Sequence, residues 1–172
     1  DLFFEHSTVD ELTLRDGEVN GAGSHIDYGM GVRVVSGDQT GYAYTEITTM
    51  NEMTNAAKAA SLIALESGKS IPAADITPQE FKNHYPILKS WEESDISSRA
   101  PFIKELNDKI FSLDNRVNKV IAKLTNSTTQ VLFYNSLGTL CSDERPMATL
   151  SVTVIMQSGS RVENGSASRS YR

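Results

Sequence analysis

"HIDYGMGVRVVSG", residues 25–37, is the stretch on which the fold turns. Gly29 and Gly31 stand one residue apart beside an apolar run, a spacing shared by phosphate-cradling loops and by some antiparallel strands. A dinucleotide loop needs G-x-G-x-x-G between a strand and a helix N-terminus, where free backbone amides meet the phosphate. Here Val34 holds the third glycine position. The chain then runs into a turn, "SGDQT", and a second strand-like run, "GYAYTE", where the helix would have to begin. The strand reading wins. Alternation puts Val32 and Val34 on one face, Arg33 and Val35 on the other, and Tyr42 with Tyr44 on a shared face. Gly29 and Gly31 are then expected to mark a bulge or a close backbone approach, with Gly37 and Gly41 as further turn or backbone glycines.

Upstream, "DLFFEHS" reads as a short strand, and "ELTLRDGEV" alternates through Leu12 and Leu14 into Asp16-Gly17, a strong hairpin dipeptide. Downstream, Thr49 with Glu52 forms a capping-box pattern that opens a helix. Its expected buried face is Met53, Ala57, Ala60 and Ala64, small enough for close packing on a sheet, and Gly68 is a suitable stop. Residues 69–97 carry Pro72, Pro78 and Pro86 and read as a loop or insertion, with "TPQE" from Thr77 predicting a short helix to about His84. A second helix is predicted from Ser97 or Ser98, with Asp95–Arg99 leading into it. Ile103, Leu106, Ile110, Leu113 and Val117 form its core stripe. Strands return as "KVIAKL" and "TTQVLFYNS", with "LGT" as a turn, then a short "LCSDERP" stopped by Pro146. "ATLSVTVIMQS" sets Leu150, Val152, Val154 and Met156 opposite Thr149, Ser151, Thr153 and Ile155, and "GSRVENGSASRS" closes a hairpin with a flexible end. The order of elements predicts an α+β fold: mainly antiparallel sheet from the strand-rich first and last thirds, packed with two main helices, as a single domain over 1–172.

Composition narrows the function. The chain has 172 residues, a formal charge of −6, and 39% hydrophobic and 22% charged residues, enough for a compact domain with a core. Lys and Arg are not clustered as phosphate binding requires, so nucleic acid is not an expected partner. Cys141 is alone, which excludes an internal disulfide and favours a reducing compartment. Asn126 and Asn164 match glycosylation acceptors and are read as chance. No apolar run approaches the roughly 18 residues of a membrane span. His6, His25 and His84 lack the spacing of a helical zinc motif, and there is no G-x-S-x-G elbow. Asp143, Glu144 and Arg145, just before Pro146, form a charged cluster suited to pinning a turn or meeting a partner. Spacing alone therefore yields no complete active site. The chain opens with Asp1 inside a strand-like run and closes on "ASRSYR", so a piece of a longer protein is expected.

Several phrases in fixed order carry a resemblance. "DLFFEHS" with "RDGEV", "IDYGMGVRVVSGDQTGYAY", "LCSDERPMATLSVTV" and the closing "NGSASRS" resemble the TldD branch of the TldD/PmbA family over nearly the whole chain. The Gly29–Tyr44 run and the Asp143–Pro146 run are the most specific pieces. The resemblance implies a zinc-dependent peptidase of the cytoplasm that processes peptides, works with a related PmbA-type subunit or as a homodimer, and has been called a modulator of DNA gyrase. The family's His-Glu-x-x-x-His motif, two metal ligands and a general base, is absent from this sequence. No catalytic or metal residue is therefore carried over, and the expected role is that of an amino-terminal, non-catalytic domain. Arg33, Asp143, Glu144 and Arg145 are the candidate cleft or interface residues, and Gly17, Gly29, Gly31, Gly37 and Gly41 the candidate backbone glycines. Unfolded peptide is the expected substrate. A stand-alone peptide- or protein-binding regulatory module without hydrolysis is the alternative.

Overall fold

The computed structural model describes residues 1–64, 72, 74–80, 83, 84, 86, 87, 90–93 and 95–172. Among them are seven strands: β1 (Leu2–Arg15), β2 (Glu18–Ser36), β3 (Gln39–Thr45), β4 (Thr77–Pro78), β5 (Val117–Tyr134), β6 (Thr139–Ser158) and β7 (Arg161–Tyr171). Two helices, α1 (Met50–Ile63) and α2 (Ala100–Leu113), separate the two strand-rich parts. The strands follow the order β3-β2-β1-β5-β6-β4, and β7 pairs with β6. The pairings of β2 with β3 and of β6 with β7 are antiparallel. This is the α+β architecture that the element order predicts. Contacts gather into two compact units. One holds Asp1–Ser7, Ile26–His84 and Thr129–Glu144; the other holds Thr8–His25, Tyr85–Thr128 and Arg145–Arg172.

In the first unit, β2 and β3 run in register from Met30 opposite Thr45 to Ser36 opposite Gln39. Met30 and Val32 are buried with Ala56 and Ala60 of α1, joined by Leu2, Phe4, Val34, Ala43, Met53 and Ala57. The predicted alternation holds, since Val32 is buried while Arg33 and Val35 are exposed. Thr49 caps α1, its hydroxyl accepting from the Glu52 amide at 3.4 Å, as the capping-box pattern predicts. The helix seats closely on the sheet because its face is alanine and because Gly41 of β3 has no side chain. A Cβ at Gly41 would fall inside the van der Waals shell of the Ala60 carbonyl.

The helix predicted from "TPQE" is not formed among the described residues. Thr77 and Pro78 are instead a parallel strand against Thr139 and Leu140. The amides of Thr77 and Gln79 donate to the carbonyls of Gly138 and Leu140 at 2.8 and 2.7 Å. Pro78 lies between these two donors, where the ladder asks nothing of its missing N–H. The Gly68 stop lies outside the described residues.

In the second unit, Asp16 and Gly17 both take positive φ, 53° and 83°, as a two-residue hairpin turn requires. The Asp16 amide donates to the Val120 carbonyl at 3.0 Å, and its carboxylate accepts from the Val120 amide at 3.2 Å, tying the turn to β5. Leu12, Leu14, Ile103 and Ala122 form the core, with Ala100, Leu124 and Val152 packed against them. Helix α2 follows a 3-10 turn, Ile96–Arg99, capped by Asp95 through the Ser97 amide at 2.9 Å. Arg99 is buried; it donates to the Asp10 carboxylate at 3.1 Å and to the Trp91 carbonyl at 2.7 Å, and lies 5.4 Å from the Trp91 ring centre.

Four further expectations are corrected here. The α2 core stripe is shorter than predicted: Ile103 is fully buried, but Leu113 is 74% exposed and Val117 already belongs to β5. Asn107 takes a core position instead, beside the Asp16-Gly17 turn, where a Cβ added at Gly17 would meet its side-chain amide nitrogen at 3.5 Å. β5 is continuous rather than two strands, and Asn126 within it is 2% exposed, closed to any glycan. β6 runs straight through Pro146. The proline falls between the β4 pairing, which ends at Leu140, and the β7 pairing, which begins at Ala148. On that edge a residue without an N–H interrupts no described ladder. The end predicted to be flexible is a regular strand, β7, held by hydroxyl pairs Thr149–Ser170, Ser151–Ser168 and Thr153–Ser166 at 2.8, 2.9 and 2.9 Å.

The turn from α2 to β5 is an aspartate turn. Asp114 accepts from the Arg116 amide at 2.9 Å and from its guanidinium at 2.6–3.2 Å. These bonds hold its carboxyl down from 3.8 to about 2. A carboxyl pKa lowered by folding stabilises fully above the ordinary value of 3.8 and loses that contribution as pH falls through about 2. NMR titration of the Asp114 carboxyl should therefore give a midpoint near 2 that moves toward 3.8 in Arg116→Ala. A midpoint unmoved by the substitution would exclude the guanidinium as the cause.

Candidate functional site

Two adjoining grooves in the first unit make the candidate site. The larger has a volume of about 720 Å³ and is lined by residues of β1, β2, β5 and β6, including His6, Tyr28, Gln130, Asp143 and Glu144. Gln130 donates from Nε2 to Glu144 Oε1 at 3.1 Å, which fixes that carboxylate across the two strands. Nearby, Ser7 and Thr129 join their hydroxyls at 2.9 Å.

The smaller groove, about 270 Å³, lies on the open face of β2 and its neighbours. Its construction follows from the strand alternation. Val32 and its neighbours turn toward α1, so Gly29 and Gly31 turn to the opposite face, where they form a floor without side chains. Gly31 lies opposite Tyr44 in the ladder. The Tyr42 ring rests on Gly31: a Cβ there would stand 2.6 Å from Tyr42 Oη and 3.2 Å from the ring. This is the close approach expected of the glycine pair, made by a side chain at Gly31 and by the Thr45 carbonyl at Gly29. Phe3 forms a further wall, and Tyr42 and Tyr44 remain 60% and 72% exposed. The two grooves share Glu5, Tyr28 and Gly29.

The candidate residues named from sequence are distributed as follows. Asp143 and Glu144 line the larger groove, and Gly29 lines both. Arg33 lines neither. It exchanges backbone hydrogen bonds with Asp1 at 2.9 and 2.8 Å, and its Nε and Nη2 donate to the Asp1 carboxylate. Arg145 is exposed on β6 in the second unit, and the Gly17 turn, between β1 and β2, belongs to the same unit. Gly37 makes the β2–β3 turn with φ of 56°, and Gly41 lies beneath α1. Sequence reasoning passed over Phe3, Glu5 and Tyr28, and weighed His6 only as a metal ligand. The available signal was the strand parity that sets Phe3 and Glu5 on one face.

Among the described residues, no group of three or more His, Cys, Asp or Glu is arranged to hold a metal ion. Residues 1–64 match the family model for PmbA/TldA metallopeptidase domain 1, and residues 89–172 match that for the PmbA/TldA metallopeptidase central domain. This chain belongs to the PmbA/TldD metallopeptidase family. Among the family's curated members, the metalloprotease TldD homolog of Haemophilus influenzae is 30% identical over 167 residues, covering 96% of this chain and 35% of that protein. The TldD homolog of Buchnera aphidicola from Acyrthosiphon pisum is 32% identical over 171 residues, 96% of this chain and 34% of its own length. The chain thus spans about a third of the length of the curated relatives it matches. A modulator of DNA gyrase from Thermotoga maritima shares the fold at a TM-score of 0.70 and 14% identity, over 99% of this chain and 39% of that one. TldE from Thermococcus kodakarensis does so at 0.65 and 17%, with the same two coverages. The described residues of this PmbA/TldD chain do not supply the metal site that the family name implies.

Proposed function

We propose that this chain is the amino-terminal, non-catalytic part of a TldD-like zinc-dependent peptidase and contributes a wall of the peptide cleft or the interface with a second subunit. The observation that carries the reading is the pair of family matches together with an open, aromatic-lined groove in the first unit. β3 ends the strand order and borders the smaller groove, so an extended peptide could add to its edge through backbone hydrogen bonds. Asp143 and Glu144, on β6, would meet peptide lying in the larger groove, and Arg33 and Arg145 would serve the interface. The metal, the general base and hydrolysis belong in this reading to residues outside those described. The setting proposed is the cytoplasm, with a PmbA-type partner or a second copy of the same protein. No described helix is long and apolar enough to cross a membrane.

Zinc content and cleavage of an unfolded peptide, measured on the full-length protein and on the 172-residue chain, test this directly. Metal and cleavage are expected in the full-length protein and neither in the chain alone. Neither property in the full-length protein, with its partner subunit added, would favour a binding module without hydrolysis.

A further inference from the structure

We infer that the grooves select a lysine or arginine side chain of the bound peptide, with Tyr42 and Tyr44 against its cationic head and stem. The inference rests on the peptide-binding reading above and adds the class of segment recognised. Five carboxylates line the two grooves: Glu5, Asp27 and Glu46 in the smaller, and Glu5 again with Asp143 and Glu144 in the larger. No Lys or Arg lines either groove among the described residues. A cation entering the smaller groove meets Glu5 and Glu46, and the like charge beside it, Arg33 opposite Tyr42 in the ladder, is paired with Asp1; that charge complementarity sets the sign of the occupant.

The aromatic walls set its shape. The hydroxyl end of the Tyr42 ring reaches over Gly31, where only a glycine leaves room for it, while most of the residue stays exposed. Tyr44 stands beside it, directly opposite Gly31 in the ladder, and Phe3 bounds the other side. A ring face offers its negative quadrupole to a cation, and a ring is also a good surface for the methylene stem of Lys or Arg. A free carboxylate-bearing side chain would find neither. The smaller groove, at about 270 Å³, shares Glu5, Tyr28 and Gly29 with the larger one.

Binding of fluorescent nine-residue Ser/Thr peptides to the full-length protein, with a central lysine, acetyl-lysine or glutamate, tests the inference by anisotropy. The lysine peptide should bind about tenfold more tightly than the other two, and the difference should shrink as salt is raised. Tyr44→Ala and Glu46→Gln should each weaken the lysine peptide by about fivefold; Glu46→Gln should leave the acetyl-lysine peptide unchanged and Tyr44→Ala should weaken it less than the lysine peptide, while Tyr44→Phe keeps the preference. Both positions are exposed, so these variants do not threaten folding. Equal binding of all three peptides would overturn the cation preference and leave the peptide-binding reading standing. Binding of none would overturn both.

Discussion

Gly41→Val should destabilise the protein by about 3 kcal/mol, at the upper end of what overpacking costs, and lower its melting temperature by roughly 6–12 °C. Most overpacked sites relax by moving a neighbouring side chain. Here the obstructing group is the Ala60 carbonyl, part of the backbone of α1, with the Ala64 amide close behind it. Relief therefore requires the helix to rise from β3. The same displacement would disturb the strand that carries Tyr42 and Tyr44, so the loss of stability should come with loss of the lysine preference. Gly23→Ala is the control: open space surrounds that position, and the change should be near zero. Urea denaturation measures both. A Gly41→Val midpoint equal to that of the parent would mean that α1 is not seated on β3 as described.

Truncating Ile103 to alanine should remove about 3–4 kcal/mol, with a fall in melting temperature of roughly 10 °C. Ile103 is fully buried among Leu12, Leu14 and Ala122, and the surrounding strands are too constrained to close the space it leaves. Ile103→Val, which removes one methyl, should cost about 1 kcal/mol. Leu113→Ala, in the same helix, should change stability by less than about 0.5 kcal/mol because that side chain stands mostly in solvent. Amide exchange should show the loss for Ile103→Ala across α2. Equal destabilisation by Ile103→Ala and Leu113→Ala would show that the helix buries the face inferred from periodicity and not the one described.

That contrast shows what could be read from the amino-acid order. Local chemistry was legible. Asp16-Gly17 demanded a hairpin, Thr49 with Glu52 a helix start, and the alternation from Val32 to Val35 a strand with one buried face. The glycine pair was recognisable as a close approach, although the tyrosine that makes it at Gly31 comes from the next strand. What failed depended on neighbours distant in the chain. Pro146 is an ordinary stop signal, but it falls in the gap between the β4 and β7 pairings, and the strand continues through it. Thr77-Pro78 has the chemistry of a helix start and became a strand because Gly138 and Leu140 offered carbonyls at the right spacing. The grooves were invisible for the same reason. They draw on β1, β2, β3, β5 and β6 at once, and no window of sequence holds Phe3, Tyr44 and Glu144 together.

The hydroxyl pairs between β6 and β7 act as a vernier on strand alignment. β7 is rich in glycine, serine and alanine and has little apolar weight with which to choose a register. A slip of one residue would set Thr149, Ser151 and Thr153 against Arg169, Ala167 and Gly165, and every matched pair would vanish. A slip of two would still match two hydroxyl pairs out of three, a loss of only about 0.2–1 kcal/mol. The scale thus rejects odd errors sharply and even errors weakly. The second reading must come from the hairpin itself, where Gly159 with φ of 59° anchors the zero of the scale between Ser158 and Arg161.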